Sequence, residues 1–142
     1  METDVGVMAL TNQNETIIEN SNFISNQAHK KAVFQFDTKS NVTIRDSLFQ
    51  QNIASAGISL GSVTDCGRFF VSRTQFKENK ALNESYCLSI MQTANATFDD
   101  CHFDSNFAAK GSSNLEASYF SKLYITKSTF KIHLEEMKLL ST

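Results

Sequence analysis

Apolar and polar residues alternate along this chain in short runs that change phase and then start again. In Asn41–Ala54, Val42 and Ile44 alternate with polar Thr43 and Arg45. That is the two-residue period of a strand. Ser47 and Phe49 keep the same period but are out of phase with Ile44. A change of parity between two runs that share one interior requires a corner. A further apolar run follows the Ala of each copy: Ala32, Phe34 and Phe36; Ile58 and Leu60; Tyr86, Leu88 and Ile90; Leu115 and Ala117. An amphipathic helix would need apolar positions at i, i+3, i+4 and i+7, which the phrase does not supply.

The phrase recurs five times. Its key aromatic falls at Phe23, Phe49, Phe76, Phe103 and Phe130, in steps of 26, 27, 27 and 27 residues by subtraction. Self-similarity at such a period marks a solenoid. Five residues before the Phe stand Ile18, Ile44, Val71, Phe98 and Ile125, and two before it Ser21, Ser47, Thr74, Cys101 and Ser128. Three after it stand Asn26, Asn52, Asn79 and Asn106, and five after it Ala28, Ala54, Ala81 and Ala108; His133 and Glu135 break both columns in the fifth copy. Stacked coils place equivalent strands side by side about 4.8 Å apart. Phe then forms an interior aromatic ladder, and Asn a ladder of amides bonded above and below. The Asn column is also expected to take the left-handed backbone of the bend.

The tetrads Phe23-Ile24-Ser25-Asn26, Phe49-Gln50-Gln51-Asn52, Phe76-Lys77-Glu78-Asn79 and Phe103-Asp104-Ser105-Asn106 stand in register. With them the chain resembles a right-handed parallel β-helix of the pectin-lyase-like class. It most resembles the Phe-x-x-Asn repeats of polymorphic outer-membrane-protein and adhesin-type β-helices, over roughly residues 5–132. The Gly-Gly-Ala segment of such repeats reads Lys30-Lys31-Ala32 and Ala56-Gly57-Ile58 here. The expected fold is all-β, one β-helix domain over 1–142 of about five coils.

Val5, Val7 and Ala9, counted back one period of 27, align with Ala32, Phe34 and Phe36. The chain is thus expected to begin mid-coil, as a fragment of a longer β-helix, and the isolated fragment to self-associate end to end. Gly61–Gly67 and Phe107–Ser113 are loop candidates. Leu134, Met137 and Leu140 predict a short amphipathic helix capping the C-terminal coil over 133–142.

Composition narrows the rest. The 142 residues contain no proline, which suits a backbone committed to ladders, and carry a net charge of −2. That charge gives no footprint for nucleic acid or an anionic membrane. No run approaches the ~18 apolar residues of a transmembrane helix. Met1-Glu2-Thr3-Asp4 is acidic and does not read as a signal peptide. Placement outside the cell or on its surface, as part of a longer protein, is the expectation from the resemblance. Four Asn-x-Ser/Thr sequons, at Asn14, Asn41, Asn83 and Asn95, are candidate glycosylation sites.

Candidate chemistry is sparse. Cys66, Cys87 and Cys101 lack metal-type spacing; Cys101 reads as a small buried filler, and Cys66 and Cys87 as reduced thiols or a disulfide. Asp99-Asp100-Cys101 and Leu60-Gly61-Ser62-Val63 echo polygalacturonase motifs but in the wrong order and without their companions. The column Asn20, Asp46, Arg73, Asp100, Lys127 and the column ending Lys77, Asp104, Lys131 predict exposed ion-pair ladders. His102 between Asp100 and Asp104 is the one metal-like row, and no metal, cofactor or catalytic residue is assigned. Two readings follow: a non-enzymatic structural or adhesive module presenting polar ladders to protein or glycan partners, or a partial or inactive segment of a pectate-lyase- or polygalacturonase-like enzyme.

Overall fold

The structure, a computed structural model, describes residues 4–37, 39, 41–83, 86–110, 113–119 and 121–131. It is the expected all-β, right-handed parallel β-helix, with no helix among the described residues. The proposed cap over 133–142 lies outside them. Four parallel sheets run along the stack. Sheet one holds Met8–Thr11, Phe34–Asp37, Gly61–Thr64, Tyr86–Met91 and Ser113–Ser118. Sheet two holds Glu15–Glu19, Asn41–Arg45, Arg68–Ser72, Asn95–Asp99 and Leu123–Thr126. Sheet three holds Asn22–Ile24, Leu48–Gln50, Gln75–Lys77, His102–Asp104 and Thr129–Lys131. Sheet four holds the two-residue strands Gln27–Ala28, Ile53–Ala54, Lys80–Ala81 and Phe107–Ala108.

The inward columns are those the repeat defines. Val42, Ile44, Phe69, Val71, Ala96 and Phe98 are buried from sheet two, and Ala28, Ala54, Ala81 and Ala108 from sheet four. The key aromatics stack face to face. Their centroids are 4.8 Å apart for Phe23–Phe49, 5.1 Å for Phe49–Phe76, 4.7 Å for Phe76–Phe103 and 4.6 Å for Phe103–Phe130. These distances match the strand spacing, so the ring column is as continuous as the backbone ladder beside it.

The Asn column is a saturated amide ladder. Asn52 Nδ2 donates to Asn79 Oδ1 at 2.9 Å and to the Phe23 carbonyl at 3.0 Å. Its Oδ1 accepts from Asn26 Nδ2 at 2.9 Å and from the Asn26 backbone N–H at 3.1 Å. Asn79 repeats this arrangement one coil on. Both amides are fully buried, and all four of their bonding sites are filled.

The left-handed backbone falls elsewhere. It belongs to the residue before each Asn (Ser25, Gln51, Glu78 and Ser105) and to Asn20, Asp46, Arg73, Asp100 and Lys127 at the end of each sheet-two strand. A third column, Asn12, Asp65, Gln92 and Tyr119, ends sheet-one strands. At these corners the N–H turns to the next coil: Asp46 N–H donates to the Ser72 carbonyl at 3.1 Å, Gln51 N–H to Lys77 at 3.0 Å, and Asp65 N–H to Met91 at 3.1 Å. Asn and Asp, which tolerate this backbone, fill five of the nine strand-end positions, and the stack imposes the same angles on Arg73, Gln92, Tyr119 and Lys127.

The first coil corrects the sequence reading. Met8 pairs with Phe34, Leu10 with Phe36, and Val5 with Lys31, a spacing of 26 rather than 27. A slip of one residue moves every side chain to the other face. Met8 and Leu10 therefore pack on the core, while Val7 is 44% exposed. The extra residue of later coils enters between Ala54 and Ile58, since Ala28 pairs with Ala54 but Lys31 with Ile58. Gly57 fills it: a Cβ there would lie 2.1 Å from the Lys30 carbonyl oxygen.

Both loop candidates contain strands. Gly61–Thr64 is the third strand of sheet one, with Val63 buried, and Phe107–Ala108 is the last of sheet four. Gly61 occupies a core-facing position opposite Phe34; a Cβ would lie 2.0 Å from the Phe34 carbonyl oxygen and 2.7 Å from its ring. The strand is glycine-bearing because the aromatic beside it takes up the space, which makes it look like a loop in sequence.

Two outcomes check this architecture. Phe76→Ala, which opens the middle of the ring ladder, should cost about 3–5 kcal/mol in a urea melt. Gln75→Ala on the outer face should stay within about 0.5 kcal/mol of the parent; equal costs would refute the inward and outward assignment. The double variant Asn52→Asp, Asn79→Asp removes buried donors and stacks like charges, at a cost of about 3 kcal/mol or more. A melt indistinguishable from the parent's would refute the ladder.

Candidate interaction faces

The outer faces of the sheets differ. On sheet one the outward residues Ser62 and Ser89 are buried, so the middle of that face is covered as well as its core side. Sheets two and three present theirs.

Sheet three carries two outward rows in register: Asn22, Leu48, Gln75, His102 and Thr129, and beside it Ile24, Gln50, Lys77, Asp104 and Lys131. His102 Nδ1 meets Thr129 Oγ1 at 2.8 Å, and its Nε2 lies 3.9 Å from Asp100 Oδ1. Asp104 accepts from Ser105 Oγ at 2.8 Å. Asp100 and Asp104 thus do not converge on His102, and among the described residues no group of three or more His, Cys, Asp or Glu is arranged to hold a metal ion.

The ion-pair ladders are realised in part. Arg73 grips Asp46 with Nε–Oδ1 at 2.7 Å and Nη2–Oδ2 at 2.9 Å. Arg45 Nη2 lies 2.6 Å from Glu19 Oε2, and Lys30 Nζ 3.1 Å from Asp4 Oδ2. Asp100 with Lys127, and Asp104 with Lys77 or Lys131, close to no ion pair. The planar guanidinium fork of Arg73 holds the carboxylate of the coil before through two parallel bonds, which a single ammonium cannot do. The hydrogen bond from Arg73 holds the Asp46 carboxyl below its ordinary value. Stability from this pair is therefore present above the ordinary carboxylate range and is lost as pH falls through the lowered value.

The Asp99-Asp100-Cys101 fragment is used structurally. Asp99 Oδ1 accepts from Thr126 Oγ1 at 2.8 Å. Cys101 is buried in the Ser/Thr column, its Sγ 3.5 Å from the Asp99 carbonyl where Ser47 and Thr74 make the equivalent bond at 2.8 Å. Burial pushes its thiol up to about 11. Cys66 and Cys87 are buried thiols as well, and no disulfide forms.

The sequon asparagines Asn14, Asn41, Asn83 and Asn95 are all exposed. Asn41 and Asn95 share one outward column of sheet two with Arg68 between them; Asn83 donates its Nδ2 to the Ser55 carbonyl at 3.1 Å. Of the ladder residues, Phe23 is half-buried and Phe130 44% exposed, each at an end of the stack.

A residue missed in sequence closes the Asn ladder. Asn106 Nδ2 donates to Asn114 Oδ1 at 3.0 Å. Asn114 follows Val33, Leu60 and Cys87 at steps of 27, so a polar residue in an apolar column was the signal for it.

No helix among the described residues is long and apolar enough to cross a membrane. Comparisons with family models, curated proteins and solved structures give no match.

Cys101 should resist iodoacetamide at pH 8 in the folded protein and react only on unfolding, because the attacking thiolate is scarce and buried. Rapid labelling of Cys101 in the native state, by peptide mass spectrometry, would contradict its place in the corner column.

Proposed function

We propose that the chain is a non-enzymatic structural or adhesive β-helix module, of the pectin-lyase-like class and nearest to adhesin-type Phe-x-x-Asn repeats. It acts at the cell surface or outside the cell as part of a longer protein. The carrying observation is the outer face of sheet three, where Gln50, Lys77, Asp104 and Lys131 form one row in register on a continuous ladder. Such a row offers spaced donors and acceptors to a protein or glycan at little ordering cost, because the scaffold is already fixed. The carboxylates of the enzyme-like fragment support the same reading, since Asp99 is engaged with Thr126 across coils.

The 142-residue chain by itself is proposed to associate end to end. Among the described residues nothing donates to Asn26 Oδ1, whereas Asn52, Asn79 and Asn106 Oδ1 each accept two hydrogen bonds. Ile18 and Phe23 beside it are half-buried. Unpaired strand edges and an open apolar cross-section favour pairing with a like strand.

Glycan-array and cell-surface binding test the module, with light scattering on the same samples. Binding lost in Lys77→Ser, Lys131→Ser with an unchanged melt is expected. Turnover of a uronic-acid polymer abolished by Asp99→Asn or Asp100→Asn would overturn the proposal in favour of the enzyme segment. A strictly monomeric chain over a wide concentration range would overturn the end-to-end association.

A further inference from the structure

Sheet two carries an outward row that does not suit a bare surface: Ile17, Thr43, Phe70, Thr97 and Tyr124, in register on successive coils. Ile17 is 54% exposed and Tyr124 51%. Phe70 is half-buried, with the Arg68 guanidinium 4.8 Å from its ring centroid. Beside this row runs a second one, Glu15, Asn41, Arg68 and Asn95.

Two of the four sequons coincide with these rows. In Asn41-Val42-Thr43 and Asn95-Ala96-Thr97 the middle residue is buried, so the asparagine and the threonine both face outward. Asn41 and Asn95 are exposed, and among the described residues neither side chain makes a hydrogen bond. Asn14 differs, because its Thr16 stands in the inward column with Val42, and Asn14 is bonded through its carbonyl to the Asn41 N–H at 3.4 Å. Asn83 spends its amide on the Ser55 carbonyl. Asn41 and Asn95 are two coils apart, roughly 9–10 Å at the usual strand spacing. Asn14 and Asn41 are one coil apart, and two bulky groups there would crowd. Phe70 lies one coil from both Thr43 and Thr97, within diagonal reach of each attachment point.

We propose that Asn41 and Asn95 carry N-linked glycans, and that these sugars cover the Ile17–Phe70–Tyr124 row. The apolar faces of the inner sugar rings would lie against the aromatic row, and their hydroxyls would face water. The inference rests on the extracellular placement proposed above.

The test expresses the full chain behind a cleavable secretory leader in insect cells and reads occupancy by peptide mass spectrometry. Glycans on Asn41 and Asn95 of the same molecule are expected. Asn41→Gln, Asn95→Gln, with unchanged circular dichroism, should bind an environment-sensitive hydrophobic dye several-fold more strongly. Adding Ile17→Thr, Phe70→Thr and Tyr124→Thr should return dye binding to the level of the glycosylated parent. Either asparagine remaining unmodified would overturn the site assignment. Equal dye binding with and without the glycans would overturn the covering of the row. Partner binding through sheet three, measured on the same samples, reports separately on the proposed function.

Discussion

Everything in this molecule depends on each coil bonding to the next in register, 26 or 27 residues on. Strands only three or two residues long, as in sheets three and four, have no stability alone. They persist because each pairs with the same strand of its neighbours, and because the ladder does not stop at the corners. The N–H groups of the left-handed residues reach the carbonyls of the following coil. At the corner before sheet three, side-chain hydroxyls complete the set: Ser47 Oγ accepts from the Ser21 N–H at 3.2 Å, and Ser128 Oγ from the Cys101 N–H at 3.0 Å. Non-glycine residues held left-handed each carry a cost of about 1–2 kcal/mol, which an isolated coil would not sustain. The stack enforces the conformation collectively, and Arg73 and Lys127 adopt it as readily as Asn20.

That collectivity explains which features were legible in the sequence. A core column recurs from coil to coil and is read four or five times, so the Phe, Asn and Ala columns and the β-helix itself could be derived from spacing alone. Features that occur once have no such averaging. Gly57 shifts the frame by one residue in a single place, and the spacing of 27 was carried back across it, which put Val5 and Val7 inside instead of Met8 and Leu10. The step of 26 between Phe23 and Phe49 already held the right answer. Gly61 breaks the apolar pattern because Phe34 fills its space. The left-handed positions were misassigned to the Asn column because backbone preference was read from residue type, while the corner is set by neighbours. The candidate faces were less legible still. Ile17, Thr43, Phe70, Thr97 and Tyr124 each stand six residues before the key Phe, so the row was present in the repeat, but its mixed residue types gave no column to read.

The faces also divide the surface by chemistry. Sheet one is covered on its outer side at Ser62 and Ser89, sheet three is mostly polar with Ile24 and Leu48 toward its N-terminal end, and sheet two mixes aromatic rings with sequon asparagines. A solenoid allows this because each outward column varies without disturbing the inward one beside it. Surface chemistry and core packing are encoded on alternate residues of the same strands.

The Asn ladder has a direction. In each step from Asn26 to Asn106 the Nδ2 donates to the Oδ1 of the next coil's Asn, never the reverse. The file of side-chain dipoles therefore adds up along the axis, and the two ends of the stack are electrically unlike. Growth of such a protein in evolution is quantised by the same geometry. A whole coil duplicated in place would enter the file with its donor and acceptor already oriented, whereas any shorter insertion in a strand would turn an amide out of line and interrupt the file on both sides.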